Sequence, residues 1–444
     1  MSVLGPISTL QPARPAAYLD LDFSRGDVPP ALVYSRPGNS GVWNKDGQYS
    51  VVRANVPPVT WVDELGSYAL ALEPSRTNLL TVSGNRPVGL GPFSIFEQSH
   101  FPMNANGTIA ENVDSPDGGN SAVRIVGNST SLTQSSLVPM PASQKLVYTI
   151  YARKAGDTQE FLAGVRAVNS DGGVFSAGVN RSRVKLDTLE VPSDPAPGIR
   201  YSIRRVSLGY VEIQVAIDGT KTTPAITENA AVGLYLGYTG NRAAALPGRP
   251  YFDLWYGQAE EGTVATSLII PAATRQVRSS YSTRTPINVP QEAGGQFDVF
   301  FDGYLDSGPY EIPNGVIAWG IHDGAATSHR MDVVFSANND YSVFFRDSGG
   351  SRSRSSRGNG VGQGIPSGRR PCRAAATLAN GVSKGSAGGA IANNVSVNPD
   401  WSGEQYSPAV VAGGYQPHMA VMYLRRAVVL PLGSIADLSR AANI

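Results

Sequence analysis

Apolar and polar residues alternate with a period of two over many short stretches of this chain, and that period is the signature of β-strands with one face in a core. Val211, Ile213, Val215 and Ile217 alternate with Tyr210, Glu212, Gln214 and Ala216, which predicts a strand with a core face and a wet face. Asp218-Gly219 follows as a hairpin turn. Val232, Leu234, Leu236 and Tyr238 repeat the pattern with glycines opposite, and Leu146, Tyr148 and Ile150 face away from Val147, Thr149 and Tyr151. In residues 251–256, Phe252, Leu254 and Tyr256 alternate with Tyr251, Asp253 and Trp255, so both faces of that strand carry large side chains, as in the interior of a sheet. Gly257 and Gly262 bracket Glu260 and Glu261 as at a turn, and the apolar run Leu268-Ile269-Ile270 stops at Pro271.

A second set of strands follows residues 279–295, a stretch with linker composition. It comprises residues 297–301, 316–321, 331–335 and 341–345, and a last strand carries Met419, Val421 and Tyr423. Ser434 with Asp437 has capping-box spacing and predicts a short terminal helix. Residues 1–85 behave differently: eight prolines from Pro6 to Pro58 interrupt every element, and short apolar units such as 59–62 and 68–72 lack a core of their own. The expectation is an all-β chain, with an irregular N-terminal attachment region over 1–85 followed by two antiparallel jelly-roll β-sandwiches over 86–285 and 286–444.

Composition agrees with many short strands: 444 residues with 49 Gly and 32 Pro and only 16% charged side chains. A net charge of +1 supplies no field that would draw nucleic acid or anionic lipid. The lone Cys372 forbids an intrachain disulfide, and residues 1–6 carry no basic, apolar leader. No run of about 18 apolar residues occurs, so neither a secretion signal nor a membrane span is expected.

Five segments carry a family resemblance, three of them to phage virion proteins directly. GQAEEGTVATSLIIPAATR, from Gly257 to Arg275, resembles the closing strand of carbohydrate-binding-module-like sandwiches in multidomain phage virion proteins. LDFSRG (21–26) and LALEPSRTNLL (70–80) resemble the N-terminal region of phage head-spike, head-fibre and tail-fibre proteins. VYTIYARKAG (147–156) is similar to a strand of the same sandwich family, and YLRRAVVLPLGSIADLS (423–439) loosely resembles the end of concanavalin-like (LamG-type) jelly rolls, without the acidic residue before the final Leu. The resemblance implies a structural virion protein, a fibre, spike or head-decoration subunit, assembled in the host cytoplasm. It would be homotrimeric, attached through residues 1–85 to other capsid or tail proteins, and able to adhere to host surface polysaccharide. A tailspike-type glycan depolymerase and a free carbohydrate-binding accessory protein are the alternatives.

No candidate chemistry stands out. Glu260 and Glu261 invite a glycosidase reading, but neighbours on an extended chain point to opposite faces, and the two carboxyls of a glycosidase must face each other across a bond. His322-Asp323 and His329 match no metal-ligand spacing, and His100 and His418 are isolated. Residues 346–373 gather Arg346, Arg352, Arg354, Arg357, Arg369, Arg370 and Arg373, which could engage phosphates or anionic glycans but are read as an exposed hairpin loop or a subunit-contact loop, because no aromatic is interleaved for base stacking. Trp401, Tyr406 and Tyr415 sit in loop-like contexts and are the best candidates for sugar stacking, with ordinary packing under a loop the favoured alternative, while Trp43 and Trp61 read as inter-domain or intersubunit anchors. The sequence therefore assigns no catalytic residue, no metal, no cofactor and no defined ligand residues, and expects a non-enzymatic protein that binds neither nucleic acid nor membrane.

Overall fold

A computed structural model describes residues 16–80, 107–127, 133–134, 137–155, 160–178, 181–238, 249–262, 264–269, 276–278, 282–288, 296–306, 316–322, 330–335, 341–346, 352–356, 369–379, 384–387, 390–391, 409–412, 421–436 and 441. The fold is all-β, built from antiparallel sheets, as the period-two pattern predicts. Among the described residues no helix is long and apolar enough to cross a membrane.

The first sandwich packs two six-stranded sheets. One runs Ile199–Arg205, Tyr210–Asp218, Lys145–Lys154, Arg249–Glu261, Ala122–Gly127 and Gly107–Val113. The other centres on Ala231–Tyr238 and Phe161–Val168. The side chains predicted to face the core, Leu146, Tyr148 and Ile150 with Val211, Ile213, Val215 and Ile217, meet Val232, Leu234 and Leu236 from the opposite sheet. Asp218-Gly219 is not a hairpin turn. The strand before it pairs with Ile199–Arg205 and Lys145–Lys154, and the chain then crosses to the other sheet. Gly219 is required there by proximity: a Cβ would lie 2.5 Å from the Ile226 carbonyl oxygen.

In the second sandwich an eight-stranded sheet includes Arg369–Leu378, Phe297–Asp306 and Val421–Pro431. It faces a seven-stranded sheet that includes Ser282–Pro286, Ala409–Ala412, Val316–His322 and Arg330–Phe335. Ile321 and Met331 close the core against Phe297, Val299, Phe301 and Leu305. Part of the stretch expected as a linker, Ser282–Pro286, is thus a strand, paired with Tyr34–Ser35 and Ala409–Ala412. Ser434–Ala436 is not helical, and Asp437 lies outside the described residues.

The N-terminal stretch forms short strands that are shared between the two sandwiches. Leu19–Asp22 and Ser67–Leu72 pair end to end along the Val421–Pro431 strand, and Val59–Val62 extends that sheet by one strand. Leu19, Leu21, Phe23, Leu70 and Leu72 enter the second core. The Ser40–Trp43/Tyr49–Val52 hairpin and Leu80 contribute Trp43, Tyr49 and Leu80 to the first core. The physical reason is area: two- to six-residue strands broken by proline bury too little apolar surface to stand alone, so Leu19–Asp22, Tyr34–Ser35, Val59–Val62 and Ser67–Leu72 extend the sheets of the second sandwich, while the hairpin remains a separate two-stranded sheet packed on the first.

Candidate functional site

The outer face of the first sandwich's six-stranded sheet was expected to be wet. It is covered by the N-terminal hairpin and by residues 264–269, so Glu212 and Gln214 are buried. Burial of a carboxylate requires donors. The Arg204 guanidinium donates to both Glu212 oxygens, from Nε to Oε1 at 2.9 Å and from Nη2 to Oε2 at 2.6 Å. Tyr151 Oη donates to Oε2 at 2.9 Å, and Gln214 Nε2 donates to Oε1 at 2.9 Å. Burial, and next the Glu212 charge, hold the Tyr151 phenol well above its ordinary pKa, so it remains the donor. Trp43 lies below Arg204 at 5.8 Å and sits among Tyr49, Tyr151 and Trp255, with ring centroids 5.1 to 6.1 Å away. Trp43 is therefore an anchor between the N-terminal stretch and the first sandwich, as read from the sequence.

A second buried network joins two of the segments that carry the family resemblance. Asn78, from EPSRTNLL, donates to the Ile269 carbonyl at 2.8 Å and accepts from the Ala259 and Leu80 N–H groups at 3.1 Å each. Gln258 Oε1 accepts from the Ile269 N–H at 2.7 Å while its Nε2 donates to the Thr266 carbonyl at 2.9 Å and to Glu260 at 3.0 Å. Glu260 also accepts from the Thr266 N–H at 3.0 Å and the Thr266 hydroxyl at 2.5 Å. Glu73 accepts from the backbone and the hydroxyl of Ser267 and from the Ser40 hydroxyl. Arg76–Asn78 pairs with Gln276–Arg278, and the Leu79 N–H donates to the Ala259 carbonyl. Thus EPSRTNLL and QAEEGTVATSLI form one interlocked latch, and LDFSRG begins in the strand Leu19–Asp22 that docks on Val421–Pro431, with the Phe23 N–H donating to the Arg425 carbonyl.

Between these networks lies a small cleft of about 30 Å³, where all three parts of the chain meet. Gly41, Trp43 and Glu73 come from the N-terminal stretch, Tyr151, Arg204 and Glu212 from the first sandwich, and Asp306 and Tyr423 from the second. The donors already seated on Glu73 and Glu212 make the cleft a joint whose charges hold its own walls.

The residues singled out in the sequence are not brought together. Glu260 is completely buried at the end of the Arg249–Glu261 strand and Glu261 is exposed, so the pair points to opposite faces; the turn expected there is strand. Asp253 on the same strand is buried between Arg124 and Arg153, at 2.8 and 2.7 Å. His322 ends the Val316–His322 strand, while Asp323, His329, His100 and His418 lie outside the described residues. Trp401, Tyr406 and Tyr415 lie outside them as well. Of the arginine-rich stretch expected as a loop, Arg352–Ser356 and Arg369–Leu378 are strands, and Arg373 pairs with Asp302 at 3.2 Å. Burial raises the Cys372 thiol pKa well above its ordinary value, which removes it as a nucleophile. Trp61 stands apart from Trp43, half-buried against Tyr68. The sequence missed Glu73, Asn78, Arg204 and Glu212. The signal available was polar side chains interleaved with core positions, which reads equally well as a wet face.

No family model matches the chain, and no curated protein does. Among solved structures, the carbohydrate-binding module CBM40 of a Ruminococcus gnavus IT-sialidase, bound to α2,6-sialyllactose, is 12% identical. It covers 33% of this chain and 83% of its own, with a TM-score of 0.26. The same module bound to α2,3-sialyllactose is also 12% identical at a TM-score of 0.26, covering 34% of this chain and 83% of its own. Domains LG4-5 of the mouse laminin α1 chain are 14% identical, covering 70% of this chain and 89% of their own, with a TM-score of 0.21.

Proposed function

We propose that this chain is a structural subunit of a phage particle, a fibre, spike or head-decoration protein, that works by assembly and adhesion without turnover. The observation that carries the reading is that LDFSRG, EPSRTNLL and GQAEEGTVATSLI, the segments resembling virion proteins, are all among the contacts that join the N-terminal stretch to the two sandwiches. Such a joint transmits load between parts, because Glu73, Asn78, Glu212 and Glu260 are buried on seated donors and acceptors, and the N-terminal strands extend the sheets of the second sandwich while their hairpin packs on the first. In this reading the protein is a homotrimer, its partners are other capsid or tail proteins, and its outward surface contacts host polysaccharide. Gradient-purified particles from cells carrying the gene should contain the chain at a fixed copy number, and an antibody against it should label one place on them. Recovery of the chain only apart from particles would overturn the assignment.

A further inference from the structure

The strands Val59–Val62 and Ser67–Leu72 bring Trp61 opposite Tyr68. Tyr68 shares a face with Leu70 and Leu72, both in the second core, and Trp61 shares that face with Val59, which packs against the same core. The pair is therefore the outward continuation of the core face, at the margin of the sandwich. The rings meet edge to face at 5.2 Å, and both remain partly exposed, whereas in each of the other aromatic pairs described here both rings are buried. Trp61 is fixed in place: its Nε1–H donates to Asp63 Oδ1 at 2.8 Å, and its partner Tyr68 accepts the Lys45 N–H at 3.1 Å. Gly26, at φ +91°, lies so close to Tyr68 that a Cβ would sit 3.2 Å from the ring.

We propose that Trp61 and Tyr68 form a binding platform for a neutral glycan, the indole stacking on the apolar face of a pyranose. This rests on the adhesion reading above and names a site for it. A ring held by hydrogen bonds loses little conformational freedom on binding. The rim decides the charge of the ligand. Three residues touch the pair, Asp63, Lys45 and Gly26, and the exposed charged residues at or next to them are Asp63, Glu64, Asp46 and Asp27 against Lys45 and Arg25, so the flanking charge is acidic on balance and disfavours sialylated, sulfated or phosphate-bearing polymers. Carboxylates and a lysine also offer the acceptors and donors that sugar hydroxyls need.

The test uses the full chain on a printed array of bacterial capsule and lipopolysaccharide polysaccharides, neutral and anionic. The intact chain should bind neutral polymers, and Trp61→Ala should lower affinity about ten-fold or more, the loss expected of a central aromatic anchor. Trp61→Phe, which keeps a ring against Tyr68, should fold normally, weaken binding less, and remove any ligand-induced change in tryptophan emission that arises from residue 61. Equal binding by the intact chain and a folded Trp61→Phe, with the emission change unaltered, refutes the platform while leaving adhesion standing. Preference for anionic polymers also refutes it, and binding to no polysaccharide refutes both the platform and the adhesion reading.

Discussion

Replacing Asn78 by alanine should unlatch the N-terminal stretch from the first sandwich. The side chain is fully buried and makes three hydrogen bonds to backbone groups, those of Ile269, Ala259 and Leu80. Alanine leaves one carbonyl and two N–H groups without that partner, each at about 1 kcal/mol or more, so the loss is about 3 kcal/mol. Water entering the vacated space would lower the figure, and the missing amide volume would raise it. With a urea slope of roughly 2 to 3 kcal/mol per molar for the unit that unfolds, the midpoint should fall by about 1 to 1.5 M. Tryptophan emission is the assay, because Trp43 and Trp255 touch in the aromatic cluster beneath the latch. Glu261→Ala is the control: it alters an exposed side chain one strand away and should move the midpoint by less than about 0.5 kcal/mol equivalent. A midpoint for Asn78→Ala equal to that of the control would refute the claim that this network fastens the parts together.

Phe23→Ala, which empties a completely buried position in the second core, should cost about 3 to 5 kcal/mol and unfold the C-terminal sandwich at lower denaturant, as read by hydrogen exchange in residues 421–431. Arg426→Ala should cost under about 1 kcal/mol despite its contacts with Asp20 and Asp22, because all three side chains are more than a third exposed; a thermal melt checks it. At high pH, Tyr201 titrates at about 12 instead of the usual 10, because of its burial, and burial also raises Tyr151, Tyr210 and Tyr256. The unfolded chain therefore releases these protons first. Stability should be intact below pH 10 and fall from there through pH 12, by up to about 1.4 kcal/mol per pH unit for each such tyrosine. Phenolate absorbance that rises together with loss of circular dichroism would agree, and full ionisation of every tyrosine at pH 10.5 in folded protein would not. Light scattering on the full chain should give a multiple of 46.8 kDa, and a monomer would contradict the trimer.

The period-two pattern was enough to determine the all-β class and the core face of the best strands. Val211 to Ile217 and Leu146 to Ile150 had to turn inward, because alternation allows only one buried face unless another layer arrives. It also placed Glu260 and Glu261 on opposite sides, a consequence of strand geometry alone. What the sequence could not show was that another layer does arrive. Whether the face that carries Glu212, Gln214 and the cross-strand Arg204 meets water or another layer of protein depends on the strands of residues 16–80 folding back over a sheet more than a hundred residues away. A local pattern holds no information about such contacts. The same holds for EPSRTNLL, whose polar residues look like a solvated turn until Asn78 and Glu73 meet Ile269 and Ser267, some 190 positions on. Polar side chains are placed by where their donors and acceptors lie, and only the tertiary structure decides that.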